Sequence, residues 1–162
     1  MSHKKPKGRP STPQAPVRFR VVAVHVDVVE RLEAWLHEAG WCQAASDFQA
    51  MLDLVEEGDL PAAELLFRSQ SRDAVGEGVQ EYGKKQKGGT LRLFVLREFD
   101  SYFFLAVGLK KTNAGAAEIS TSRDRAKAIK KIGKKSSLLD YQQALGDRYR
   151  VAVIPSPSEK TP

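Results

Sequence analysis

The stretch Gly78–Thr112, GVQEYGKKQKGGTLRLFVLREFDSYFFLAVGLKKT, decides the fold. It holds three runs rich in leucine, valine and aromatic residues, about Gly78–Lys84, Thr90–Arg97 and Tyr102–Lys110. Turn residues separate them, at Lys87-Gly88-Gly89 and at Asp100-Ser101. Runs of this length bounded in this way predict three consecutive antiparallel strands. Side chains alternate across a strand. Leu91, Leu93 and Val95 therefore fall on one face, with Arg92, Phe94 and Leu96 on the other. In the next strand Phe103, Leu105, Val107 and Leu109 form the more apolar set, and Tyr102, Phe104, Ala106, Gly108 and Lys110 the other. If the hairpin pairs its small-residue faces, Arg92, Tyr102 and Lys110 share the surface away from the helices, with Phe94 and Phe104 able to stack a base. In the opposing reading Arg92 reaches out to the sheet edge and the aromatics cover a second small core. Alternation alone does not separate the two.

Working outward, Val17–Val26 (VRFRVVAVHV) reads as a further strand. Asp27 then caps a helix with Glu30 three residues on, and Val28, Leu32, Trp35 and Leu36 recur at helical spacing up to a stop at Gly40. A second helix is expected over about Ala44–Glu57, with Phe48, Met51, Leu52 and Val55 on one face and Gly58 as its stop. Pro61 opens a short third helix, PAAELLFRSQ. Beyond the strands come a basic helix over about Ala117–Lys134, a short helix Leu138–Leu145 and an edge strand Tyr149–Ile154. The expected class is α+β. A small antiparallel sheet, the three-stranded meander plus the N-terminal strand, packs against two or three N-terminal helices, with a basic helix toward the C-terminus. Residues 1–16 carry four prolines and four Lys/Arg with almost nothing apolar, and are expected as a disordered basic arm. Residues 17–154 form a single domain and 155–162 a loose tail.

The net charge of +6 hides a division. Residues 1–20 carry six basic and no acidic residues. Residues 21–78 carry three basic against twelve acidic, net −9, and residues 79–150 sixteen basic against seven acidic, net +9. Such asymmetry points to a polyanionic partner for the basic half, or to two faces that attract each other. The single cysteine, Cys42, excludes an internal disulfide and suits a reducing cytoplasm; it reads as a small, at least half-buried residue. No apolar run is long enough for a membrane span, and no apolar stretch follows the basic N-terminus as a secretory signal requires.

Several chemistries drop out. The histidines are His3, His25 and His37, none in the basic half. There is no Cys/His set at metal-ligand spacing, no P-loop and no GxGxxG, and carboxylates are sparse near the sheet, so neither cofactor nor metal is expected. Arg, Lys and Tyr remain. They can stabilise a phosphate transition state by charge, and a Lys or Tyr of lowered pKa can act as general base. Between residues 123 and 135 stand Arg123, Arg125, Lys127, Lys130, Lys131, Lys134 and Lys135 against one acid, Asp124. That excess favours phosphate contact over a merely solvated face. The candidate nucleic-acid contacts are Lys84, Lys85, Lys87, Arg123, Arg125, Lys127, Lys130 and Lys131.

The order of these motifs resembles the RelE/ParE toxin superfamily, in particular its HigB-like, phage-associated branch of type II toxin–antitoxin systems. Gly78 and Glu81, then Leu91-Arg92-Leu93-Phe94, then Lys110-Lys111-Thr112, then Glu118-Ile119 with the basic helix follow that branch's succession, over about Val24 to Lys134. The resemblance implies a cognate antitoxin, of helix-turn-helix type, and metal-independent mRNA cleavage on the ribosome, in which a 2′-OH attacks the adjacent phosphate. It implies Arg92 as the phosphate ligand, Lys110 and Lys111 as charge or base, and Tyr82 as a further catalytic residue. A non-catalytic member of the same fold, either a ParE-like gyrase inhibitor or a plain nucleic-acid-binding module, is the alternative. The chain departs from the pattern at Gly83, where an arginine is expected, and at Asn113-Ala114-Gly115, where Thr-Pro is expected. Residues 136–154 extend beyond the family core.

Overall fold

The three central strands form as a meander, and a computed structural model, which describes residues 20–86, 88–110 and 116–155, shows what is added to it. The elements run β1 (Val21–His25), α1 (Val26–Leu36), α2 (Cys42–Glu57), α3 (Leu60–Ser69), β2 (Ser71–Gly76), β3 (Val79–Gln86), β4 (Gly89–Glu98), β5 (Ser101–Lys110), α4 (Ala116–Ile132), α5 (Leu138–Leu145) and β6 (Tyr149–Val153). All six strands join one sheet in the order β2-β3-β4-β5-β1-β6. Every neighbouring pair is antiparallel except β1 and β5, which run parallel with Val22 opposite Tyr102. The class is therefore α+β as expected, but the sheet is mixed and larger than a meander plus one strand. The N-terminal arm, Lys87, Lys111, Thr112 and the end of the tail lie outside the described residues.

Helices cover both faces of the sheet. On one side Val28 and Leu32 of α1, Phe48, Met51 and Leu52 of α2 and Phe67 of α3 bury against Tyr82, Leu91, Leu93, Val95 and Phe104. On the other, Ala126 and Ile129 of α4 and Tyr141 and Leu145 of α5 bury against Phe94, Leu96, Phe103 and Leu105. There is thus no bare sheet surface opposite the helices. Phe94 and Phe104 are core residues of opposite layers, so neither is placed to stack a base.

A bulge in β5 explains why simple alternation fails in that strand. Phe94 pairs with Ala106 and the next residue, Val95, with Phe104, which leaves Leu105 as an extra residue. Phe103, Leu105 and Ala106 therefore turn toward α4 and α5, while Phe104, Val107 and Leu109 turn toward α1–α3. The inserted residue reverses the phase of everything after it.

Local chemistry fixes the helix ends. α1 is capped by His25, whose Nδ1 accepts the Asp27 N–H at 3.0 Å; Asp27 sits inside the first turn rather than at the cap, and the helix ends at Leu36, before Gly40. At the start of α2 the Ala44 N–H donates to Gln86 Oε1 at 2.9 Å, so β3 caps the helix beside it. Gly58 ends α2 at φ 82 with the Pro155 carbonyl close behind it, so no side chain fits there. Asp59 caps α3, with Pro61 in its first turn. The tight turn Glu77-Gly78, both residues at positive φ, folds β2 back on β3. Among the described residues no helix is long and apolar enough to cross a membrane.

Candidate nucleic-acid interface

Alanine, lysine and arginine make α4 (AAEISTSRDRAKAIKKI) a strong helix former. Glu118 in its first turn and Lys130 and Lys131 in its last complement the helix dipole. Gly133, at φ 78, ends it by donating its N–H to the Ile129 carbonyl at 3.1 Å. Ala126 and Ile129 are buried, and Ile119 and Ile132 pack partly beside them. Away from that seam, Arg123, Lys127 and Lys131 are all exposed. A spacing of four residues stacks them along one side of the helix at about 6 Å intervals. Among the described residues none of the three pairs with a carboxylate.

Other cations of the basic half are paired with the acidic segment. Among the described residues, five ion pairs join acids of residues 21–78 to bases of residues 79–150: Asp47–Lys84 at 3.1 Å, Glu64–Arg97 at 2.8 Å, Asp27–Arg125 at 2.6 Å, Glu77–Lys130 at 3.6 Å and Glu56–Arg150 at 2.9 Å. The acidic and basic segments thus attract each other within the fold. Of the expected contacts, Lys84 and Lys130 are therefore shared with carboxylates, and Arg125 faces inward. Lys85 is exposed at the β3–β4 end, and Lys87 lies outside the described residues.

Arg125 has a structural reason to face inward. Strand β1 covers β5 only from Tyr102 to Phe104, because the chain leaves the sheet at His25 to form α1. The carbonyls of Leu105 and Val107 then have no strand partner on that side. Arg125 donates to the first at 2.6 Å and Arg31 to the second at 3.0 Å. The second guanidinium nitrogen of Arg125 binds Asp27 at 2.6 Å, and that hydrogen bond holds the Asp27 carboxyl below its usual range.

Arg92 neither lines an open surface nor reaches the sheet edge. Its register partner is Gly83, and two residues along the same strand lies Glu81. Arg92 Nε and Nη2 donate to the two Glu81 carboxylate oxygens at 2.5 and 2.7 Å, a bidentate fork. The side chains are 5% and 13% exposed, and the guanidinium lies 5.5 Å from the Phe94 ring centroid. The Nε–Nη2 edge, one of the two that could grip a phosphate, is taken by Glu81. Gly83 leaves room beside it.

The other expected catalytic groups do not converge on Arg92. Tyr82 is fully buried on the opposite face, among the residues under α3, where its hydroxyl accepts from Arg97 at 3.1 Å. Tyr102 is on that face too, donating to Glu64 at 3.1 Å, and burial raises its pKa, which keeps it protonated. Lys110 ends β5 opposite Thr90, one pair beyond Leu91–Leu109, and Lys111 lies outside the described residues. Gly108, paired with Arg92, is covered by Glu118 of α4: a Cβ on Gly108 would overlap Glu118 Cγ. The charged partner of Arg92 is the Glu81 carboxylate.

The histidines carry no motif in the sequence, yet His25 sits in a polar cluster. At the end of β1 it meets Tyr149 edge-on at 4.9 Å, with Asp27, Arg125 and Arg148 around it. Burial, then the charge of Arg125, lowers its pKa, so the ring is neutral near pH 7. The residues come from separate stretches of chain, and nothing in their local spacing marks them. No family model matches the chain, and comparisons with curated proteins and with solved structures find no match either. Among the described residues no three His, Cys, Asp or Glu side chains gather as metal ligands.

Proposed function

We propose that the chain binds nucleic acid through the outer side of α4, as a non-cleaving module. One observation carries this reading: Arg123, Lys127 and Lys131 form an exposed row without carboxylate partners among the described residues, although Arg125 and Lys130 of the same helix are paired with Asp27 and Glu77. A row at about 6 Å intervals follows a phosphate backbone, and charge without aromatic stacking reads phosphate rather than base sequence. Lys85 and Lys134, both exposed, add charge to the basic half. Fluorescence anisotropy of the full chain with labelled single-stranded RNA, at several salt concentrations, tests it. Three phosphate contacts give log K against log salt a slope of about −2. The variant combining Arg123→Ala, Lys127→Ala and Lys131→Ala should lose that slope. A slope that the triple variant keeps overturns the assignment.

The motif order from Glu81 to Ile119 supports a second reading, a RelE/ParE-like toxin that cleaves mRNA on the ribosome and is held by an antitoxin. It needs a phosphate ligand other than Arg92, and Lys110 and Lys111 are its remaining candidates. Intact mRNA in a translating extract supplied with the protein supports the non-cleaving module. Cuts that disappear with Lys110→Ala and Lys111→Ala support the nuclease.

A further inference from the structure

A cleft of about 480 Å³ opens on the other side of α4, between the start of α1, α5 and the start of β6. Its size lies within the range of small-molecule sites. Arg125, Ala128, Ile129 and Ile132 face it at helical spacing, so it does not share a face with the Arg123–Lys127–Lys131 row. The walls divide by chemistry. Ile129, Ile132 and Leu145 make an apolar floor, and His25, Asp27, Arg125, Arg148 and Tyr149 make a polar rim.

The charges on the rim fix the sign of an occupant. Arg125 is neutralised by Asp27 and donates its other nitrogen to the Leu105 carbonyl. His25 accepts the Asp27 N–H at Nδ1, which leaves the proton of the neutral ring on Nε2, as a donor. Burial pushes the Tyr149 hydroxyl up to about 12, so it too remains a neutral donor. Arg148 is exposed, pairs with no carboxylate among the described residues, and is near enough to lower the pKa of both His25 and Tyr149. Two arginines against one aspartate leave a single positive charge among the lining residues.

We propose that this cleft binds a small organic monoanion: an apolar body on Ile129, Ile132 and Leu145, with one carboxylate, sulfonate or phosphodiester group at Arg148. The apolar floor gives affinity, and the single unpaired cation selects an acid over the matching alcohol. The site is independent of nucleic-acid binding by α4, so either can fail alone.

The test uses the full chain with 1-anilinonaphthalene-8-sulfonate, an aromatic body with one anionic group. Its fluorescence should saturate at a single site. Octanoate and benzoate as competitors distinguish a chain-like from a ring-like acid, and octanol, with the same chain and no charge, should displace the probe much less well than octanoate. Arg148→Ala should weaken probe binding about tenfold, the loss of one charge-assisted contact. Ala144→Trp, at an exposed residue on the cleft, should fill it and abolish binding. Circular dichroism and melting should match the parent chain in both. Absence of a saturable signal, displacement by octanol equal to octanoate, or binding unchanged in Arg148→Ala overturns the proposal. Arg148 is a surface side chain, so its substitution remains decisive even where Ala144→Trp fails to fold.

Discussion

Among the described residues, the face of the sheet under α1, α2 and α3 buries nineteen in one apolar cluster, including Phe48, Phe67, Tyr82 and Phe104; the face under α4 and α5 buries twelve and also holds the Arg92–Glu81 pair. The first face is closed by helices rich in acid, the second by a helix rich in base. A deep apolar layer holds the acidic helices whatever their surface charge. The basic helix has only a narrow seam of Ala126 and Ile129, and it is tied down further by Arg125 to Asp27 and to Leu105, and by Lys130 to Glu77. The difference teaches how to sort the cations of such a chain. Those that hold the second face together are structural, and those left outside the ties are free to meet a partner.

The largest expected break in this contrast is at Glu81. Glu81→Ala leaves the Arg92 guanidinium buried without its carboxylate, which should cost about 3–5 kcal/mol in urea unfolding. Replacing both residues with leucine should recover most of that, because the pair's attraction only offsets its desolvation. A cost near zero for Glu81→Ala would mean that Arg92 finds water, and would restore it as a candidate phosphate ligand. Next is the depth of the two cores. Phe67→Ala removes a ring that packs on Tyr82, Tyr102 and Phe104 and under the Arg97 guanidinium, and should cost about 3–5 kcal/mol. Ile129→Ala, in the thinner seam, should fall at the lower end for such truncations, about 2 kcal/mol. Equal costs would remove the distinction between the faces.

The residues show why part of the structure is legible in the sequence and part is not. Periodicity and turn residues place β3 to β5 and α2 to α5 within a few positions, with Gly58, Pro61 and Gly88 as local signals; the basic helix, expected to run to Lys134, stops at Ile132, before Gly133. β2 escapes such a reading because SRDAVG is short and polar, as edge strands often are; the Glu77-Gly78 turn is the one available clue. The β5 bulge falls among Leu105 and Ala106, with no glycine or proline to announce it, and it undoes the grouping of Arg92 with Tyr102. Whether a cation is free depends on partners far along the chain: Asp27 lies 98 residues before Arg125. The charge asymmetry is visible in composition, but not how much of it is consumed in cross-segment ion pairs.

A smaller effect probes how closely α4 sits on the sheet near Arg92. A methyl group on Gly108 would overlap Glu118 Cγ and come 2.8 Å from its Cδ. Glu118 must swing away, which loosens the first turn of α4 and its approach to Arg31, 3.8 Å distant. Gly108→Ala should cost about 1–3 kcal/mol, as overpacking does, and adding Glu118→Ala should restore part of it. If the single substitution is silent, the helix has slack at this end, and the second face is looser still than its narrow seam suggests.

The subtlest difference between the faces is a dependence on pH at the point where β1 passes into α1. His25 has its pKa lowered below 6.5, first by burial and then by Arg125. The unfolded chain therefore takes up the proton before the folded one does. Stability is full above pH 6.5 and is lost as pH falls through the window down to the folded value. Protonation also places a hydrogen on Nδ1, where the Asp27 N–H already points, and so removes the α1 cap. Asp27, lowered from 3.8, begins to lose its own contribution only at more acid pH. His25→Asn keeps an oxygen acceptor at the cap but cannot titrate. At neutral pH it should be somewhat less stable, since the edge contact with Tyr149 is gone. Its melting temperature should nevertheless fall less than the parent's between about pH 7 and pH 5, around the ordinary histidine value. Parallel melting curves for the two chains across that range would show that His25 is solvated after all, and that the cleft beside it is wetter than its burial implies.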